Sequence, residues 1–179
     1  MEQATLSHVF LFCFDLDNMV RFYTETVGFH LSDRGMARGR DIAFLTLSPD
    51  ADHHQLAMCG GREGPNTGGP LNHIAFRVNS FAELRRRHAL LSATRVAANV
   101  ETVNHGAWLS VYYRDVDNNR MEFFFDTPWY IRQPMVEPLD LAKDDDEILN
   151  ETYAKYKDTP GFSLMSDWKA QTKSELAFR

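Results

Sequence analysis

Leu71-Asn-His-Ile-Ala-Phe-Arg-Val78 is the stretch on which the reading of this chain turns. It is a short apolar run with a histidine, His73, near its start, and its composition predicts a buried strand. The chain opens in the same manner: Leu6-Ser-His-Val-Phe-Leu-Phe12 carries His8 in the matching place, about 65 residues earlier. A third apolar run, Arg120-Met-Glu-Phe-Phe-Phe125, holds a single acid, Glu122. Two histidines and one carboxylate are the ligand set of a non-haem Fe(II) centre. Glu122 inside an apolar strand costs several kcal/mol if left unpaired, so it calls for a metal or a cationic partner. His8 alone reads more readily as a structural histidine than as a ligand; His73 at the equivalent point of a repeat shifts that balance.

Working outward, the elements come in the same order twice. Residues 5–14 predict a strand. Asp15 or Asp17 can cap the following helix, in which Met19, Val20, Phe22, Tyr23 and Val27 fall at helical spacing and Gly28 ends the run. Residues 30–37, Ile42–Leu47 and His53–Met58 predict three further strands, joined by a turn at Arg38–Asp41 and a loop at Ser48–Asp52. A glycine-rich linker, Gly60–Pro70, separates this half from the next. The pattern then restarts: a strand at Leu71–Val78, a helix at Ser80–Leu91 with Ser80 and Glu83 spaced as a capping box, and strands at 94–103, Trp108–Arg114 and Arg120–Phe125. The expected fold class is therefore α+β, built of two βαβββ modules, 5–60 and 71–126. Each alone holds too small a core, so the two should pair and leave a cleft between curved sheets. Residues 127–179 break the repeat and predict a C-terminal helical extension. Its clearest helix is Asp144–Lys157, acidic in its first turn, and its last residues are read as a loose end.

Composition narrows the class of function. The chain has 179 residues, a net charge of −6 and two cysteines, Cys13 and Cys59, both in apolar runs. The negative charge argues against nucleic acid as a partner. No run reaches the roughly 18 apolar residues that span a bilayer, so no membrane partner is expected. Nothing at the N-terminus reads as a signal peptide, and the cysteines read as buried free thiols, so the expected location is cytoplasmic. Arg85-Arg86-Arg87 reads as a solvated helix face.

These residues resemble the vicinal oxygen chelate superfamily, with its glyoxalase/bleomycin-resistance/dioxygenase fold, and within it the type I extradiol dioxygenases of the catechol and biphenyl-diol kind. The histidines and glutamate carry the likeness, with three further motifs. His53-His54-Gln-Leu-Ala resembles the catalytic His-His-x-x-Ala strand. Leu109-Ser-Val-Tyr-Tyr113 resembles the tyrosine block. Asp115-Val-Asp-Asn-Asn119 resembles the Asp-Pro-Asp-Gly-Asn turn before the metal glutamate, with Val116 and Asn118 in place of Pro and Gly.

The resemblance implies a single-domain enzyme with His8, His73 and Glu122 as metal ligands, Fe(2+) as cofactor (Mn(2+) being possible), and an aromatic diol and O2 as substrates. It implies His54 as acid–base, Tyr112 as a hydrogen-bond donor to the diol and His105 as a pocket histidine. It also implies a homo-oligomer, to which the C-terminal segment adds a plausible interface. For Tyr112 core packing is the alternative, for His105 a turn position, and for His54 a surface pair. A glyoxalase or isomerase needs a fourth ligand, an acid on the last strand of the first module. Here only Gln55 stands near, and alternation from His54 would turn it to the opposite face. A phosphonate-handling thiol transferase needs a basic patch near the metal, and no Lys or Arg cluster is evident on the cleft strands. A metal-free binding dimer would leave Glu122 unexplained. Phe10, Phe12, Phe44, Trp108, Phe123 and Phe125 can line an aromatic pocket, although core packing suits most of them better.

Overall fold

The first helix begins where a side chain can cap it. Asp15 takes an extended backbone and its Oδ1 accepts from the Asn18 amide at 2.9 Å. The helix α1 (Leu16–Arg21) runs on as a π-helical stretch, Phe22–Val27, and stops at Gly28, whose φ of 89° is open to glycine at little cost. This computed structural model describes residues 7–37, 39–48, 53–64, 72–94 and 96–177, with backbone alone at 37, 173 and 175–177. Leu6, Arg38, the loop at 49–52, the linker at 65–70 and Leu71 lie outside the described residues.

The element order repeats as expected. β1 (Val9–Cys13), α1, β2 (His30–Ala37), β3 (Arg40–Thr46) and β4 (Leu56–Gly60) come first. β5 (Ile74–Arg77), α2 (Phe81–Ala93), β6 (Ala98–Asn104), β7 (Trp108–Arg114) and β8 (Arg120–Asp126) follow. The extension adds β9 (Trp129–Tyr130), β10 (Glu137–Pro138), α3 (Asp145–Tyr156), β11 (Ser163–Leu164) and α4 (Met165–Ala177). The fold class is α+β. One sheet has strand order β1-β4-β3-β2, and the other β10-β6-β7-β8-β5. In each the first strand pairs parallel with the last of its own βαβββ set, Val9 with Leu56 and Ile74 with Met121.

The residues gather in two compact units. The first holds the chain up to Asn72 with Leu90–Ala98 and Arg114–Arg120; the second holds His73–Ala89, Asn99–Tyr113 and the chain from Met121 onward. In the first unit Leu11, Cys13, Met19, Tyr23, Leu45, Leu56 and Met58 form the core. Cys13 and Cys59 are buried free thiols. Cys13 Sγ donates to the Cys59 carbonyl, and burial first of all, with nearby acids, pushes its pKa up to about 12. The Asp115–Asn119 turn belongs to this unit. Asp115 accepts from the Asp117 and Asn119 amides and from the Tyr23 hydroxyl, while Asp117 accepts from the Phe14 amide at 2.7 Å. Burial raises the pKa of both acids, and these donors act against it. Asn118, where the resembled turn has glycine, takes φ 62°, a conformation that asparagine tolerates better than other side chains.

In the second unit one sheet face packs on α2. Phe125 lies against Phe81 (ring centroids 4.9 Å apart), and Leu84 and Phe123 are buried. Ser80 Oγ accepts from the Glu83 amide at 3.1 Å, the cap expected from sequence. The arginine run is not the solvated face it resembled. Arg85 donates to the Leu141 and Lys143 carbonyls and pairs with Asp145, so it ties the extension to α2. Arg87 lies over the Phe123 ring. The predicted helix near 144–157 is α3, capped by Asp144, whose side chain accepts from the Glu147 amide at 2.8 Å. The described part of the extension closes with a second helix, Met165–Ala177; the last two residues, 178–179, lie outside the described residues.

Candidate active site

The second unit's other sheet face carries the chemistry, and strand periodicity puts it there. His73, Ala75 and Arg77 alternate along and just before β5; Glu122, Phe124 and Asp126 alternate along β8; Trp108, Ser110 and Tyr112 alternate along β7. The register that sets Ala75 beside Glu122 brings His73 to the carboxylate, with His73 Nε2 3.1 Å from Glu122 Oε2. Glu122 is only 3% exposed, and Ser110 Oγ donates to its other oxygen. Eight of these nine residues, all but Ser110, line a cavity of about 600 Å³ whose remaining wall is mostly apolar.

Tyr112 and His105 form a second pair beside it. The Tyr112 ring stands edge-on to His73 at 5.5 Å, and its hydroxyl lies 3.1 Å from His105 Nε2. His105 Nδ1 lies 2.5 Å from the Met135 carbonyl. A carbonyl can only accept, so Nδ1 carries the proton. In a neutral ring Nε2 is then the acceptor, and the Tyr112 hydroxyl donates to it. The turn that presents His105 is tight: Gly106 has φ 75°, and a Cβ there would meet Ile131 Cδ1 at 2.5 Å. Gln133 Nε2 donates to the His105 carbonyl at 2.9 Å. Residues of the extension thus set both the tautomer and the position of His105.

The first unit holds the other predicted residues. His8 and His54 have ring centroids 4.5 Å apart, and His54 stands edge-on to Phe44 at 4.9 Å. His53 Nε2 faces Asp33 at 2.9 Å and its Nδ1 faces His54 Nδ1 at 3.0 Å. Donation to Asp33 leaves Nδ1 of a neutral His53 as acceptor, so His54 Nδ1 carries its proton and Nε2 is the basic nitrogen. Sequence reasoning missed this Asp33–His53–His54 relay, because Asp33 and His53 are distant in the chain. It also placed His53 and His54 within a strand. β4 begins at Leu56, and Gln55 Oε1 accepts from the Leu47 amide, so the alternation argued from His54 to Gln55 does not hold.

The structure therefore brings the predicted residues together as two groups: His73, Glu122, Tyr112 and His105 in one unit, and His8 and His54 in the other. Within either unit, no three His, Cys, Asp or Glu side chains among the described residues converge on one point. The aromatic expectations divide. Trp108 lines the cavity and Phe123 is core, whereas Phe10 and Phe12 are 44% and 53% exposed, so neither is core. Sequence reasoning also missed Met135, Val136, Met165, Trp168 and Lys169 as cavity residues, all from the extension.

Comparison with known proteins agrees with this fold. The family model described as "Glyoxalase/Bleomycin resistance protein/Dioxygenase superfamily" matches residues 5–123. A biphenyl-2,3-diol 1,2-dioxygenase of Rhodococcus globerulus is 32% identical over 127 residues, covering 68% of this chain. The chain spans only 63% of that relative's length. A glyoxylase/bleomycin resistance protein/dioxygenase domain from Frankia sp. EAN1pec superposes with a TM-score of 0.60 at 23% identity, covering 70% of this chain and all of that one. The fosfomycin resistance protein FosX of Listeria monocytogenes, solved with Mn(II) and sulfate, superposes with a TM-score of 0.53 at 20% identity, covering 70% of this chain and 95% of that one. The two solved structures are like this chain in fold.

Proposed function

The chain belongs to the glyoxalase/bleomycin resistance protein/dioxygenase superfamily, and from that premise we propose that it is an Fe(II)-dependent extradiol dioxygenase that opens the ring of a catechol-type diol. The observation that carries the proposal is the buried Glu122 facing His73 at 3.1 Å at the wall of an aromatic cavity, beside the Tyr112–His105 pair. A carboxylate this buried calls for a cation, and imidazole with carboxylate is a donor set that suits a divalent metal. His73 and Glu122 are proposed as ligands, with His8 as the third. Iron, when bound, supplies the redox chemistry with O2.

The chain's own residues handle protons and placement. His54 Nε2 takes one phenolic proton as the diol binds. Tyr112 orients a diol oxygen, and the Met135 carbonyl keeps His105 in the tautomer that steadies the Tyr112 hydroxyl. Trp108 and Phe124 pack against the ring and exclude water. Diol and O2 combine atom for atom: a ring carbon–carbon bond beside the hydroxyls breaks, both oxygen atoms enter the product, and a muconic semialdehyde type of acid results. An isomerase of the glyoxalase type is less well supported, since β4 reads Leu-Ala-Met-Cys-Gly and offers no acid as a fourth ligand.

The test is purification under anaerobic conditions with ascorbate, iron analysis, and addition of a panel of catechols in air. Iron near one per chain and a yellow ring-fission product are expected. Iron without product from any diol would retain the ligands and discard the reaction. No bound divalent metal after reconstitution would discard both.

A further inference from the structure

We infer that α4 selects the substrate, and that the favoured substrate carries an anionic group, a carboxylate, on its aromatic ring system. The inference rests on the reading of this cavity as the ring site. Met165, Trp168 and Lys169 stand at i, i+3 and i+4 on α4, so they share one helix face, and all three line the cavity. They lie beyond residues 5–123, so the repeated modules do not supply them.

This face is held in place. The Met165 amide donates to the Pro128 carbonyl at 2.8 Å, β11 pairs with β9 through Ser163–Tyr130 and Leu164–Trp129, and the Trp168 ring stacks on Tyr130 at 4.9 Å with 8° between planes. Met165 and Trp168 join Trp108, Phe124, Met135 and Val136 as a wall suited to a flat apolar body.

The charges on the same wall give the second half of the argument. Four charged side chains line the cavity apart from the histidines: Arg77, Glu122, Asp126 and Lys169. Arg77 Nε pairs with Asp126 at 2.7 Å, and Glu122 is held by His73 and Ser110. Lys169 has no partner among the described residues. An aromatic wall with one unpaired ammonium at its edge is complementary to a ring bearing a carboxylate. A neutral hydrocarbon substituent would leave that charge unused. The ammonium is solvent-exposed, so the preference it confers is modest and weakens with salt.

The test uses the full chain, with and without bound metal, and follows tryptophan fluorescence and calorimetry with phenylacetate and its neutral isostere phenylacetamide. Phenylacetate should bind roughly two- to fivefold more tightly at low salt. Lys169→Gln should remove the preference, Lys169→Arg should keep it, and Trp168→Ala should weaken both ligands alike. Equal affinity for the two ligands, no binding of either, or a preference that survives Lys169→Gln would overturn the inference. Because binding is read without turnover, a chain that shows the preference yet cleaves no diol would count against the dioxygenase reading alone.

Discussion

The two halves of this chain share a backbone plan and differ in what surrounds their first histidine. His8 precedes β1, is itself exposed and lies against the half-buried His54, on a unit whose β1 leaves Phe10 and Phe12 44% and 53% exposed. His73 precedes β5 and meets a buried carboxylate, with a cavity walled by Met135, Val136, Met165 and Trp168. The repeat supplies two frames that present a histidine at the same place. Only the second frame is followed by residues 127–179, and those turn a strand face into a pocket. On the proposed function, the metal ligands would come from the repeat and substrate choice from the residues that follow it.

The largest expected effect sets the two histidines against each other. Glu122→Ala should lose bound iron and reduce turnover by at least ~100-fold, since even supporting residues around a metal are worth 10- to 100-fold. If the first half contributes a ligand, His8→Ala should do the same. Full iron retention in His8→Ala, measured by metal analysis of the anaerobic protein, would confine the metal to the second unit. His54→Ala divides the roles differently: iron should remain while kcat falls by about 10²–10⁴-fold, the usual worth of a general base. Loss of iron with His54→Ala would make it a ligand instead.

Ser110→Ala probes the support that Glu122 has and the first half lacks. Ser110 donates to Glu122 Oε1 from the same face of β7 that carries Tyr112. Its removal should weaken metal affinity by about 10-fold to 100-fold without unfolding the chain, checked by chelator competition and thermal melting. An unchanged metal affinity would mean that Ser110 only satisfies a buried oxygen.

Much of this was legible in the sequence, and the gaps have physical causes. β7 sets Leu109, Val111 and Tyr113 on one face and Trp108, Ser110 and Tyr112 on the other, and the turn that begins at Asp115 bounds it, so its ends match the structure. The Asp15 and Ser80 caps were readable because capping is local. β4 was misplaced because it is buried on both faces: with no alternation to count, period cannot locate its start, and His53 and His54 were drawn into it. The cavity residues of α4 were missed for another reason. Met165, Trp168 and Lys169 are a sparse pattern on a mostly polar helix, and what fixes them, the β9–β11 pairing and the Tyr130–Trp168 stack, is non-local. Asp33 joined to His53 was likewise a contact between β2 and the segment before β4, which spacing does not show.

The smallest effect separates the two compact units by the sign of their acid response. Glu83, at the start of α2, is held by Arg86 first and Arg87 second, and its pKa falls to about 2. A lowered folded-state pKa adds stability that is present above the unfolded glutamate value and is lost as pH falls through about 2. Asp115 and Asp117, in the first unit's turn, are shifted the other way by burial. Their contribution is present at acid pH and declines as pH rises through their raised values. Between pH 5 and pH 3 the two responses oppose. Glu83→Gln should therefore cost on the order of 1 kcal/mol near pH 6, a value kept small by the partial exposure of the arginine partners. The deficit should shrink steadily toward pH 2.5, as read from urea midpoints of wild type and variant across that range. A deficit that stays constant with pH would assign the effect of Glu83 to packing at the helix start, and would leave the buried turn as the main source of the chain's acid response.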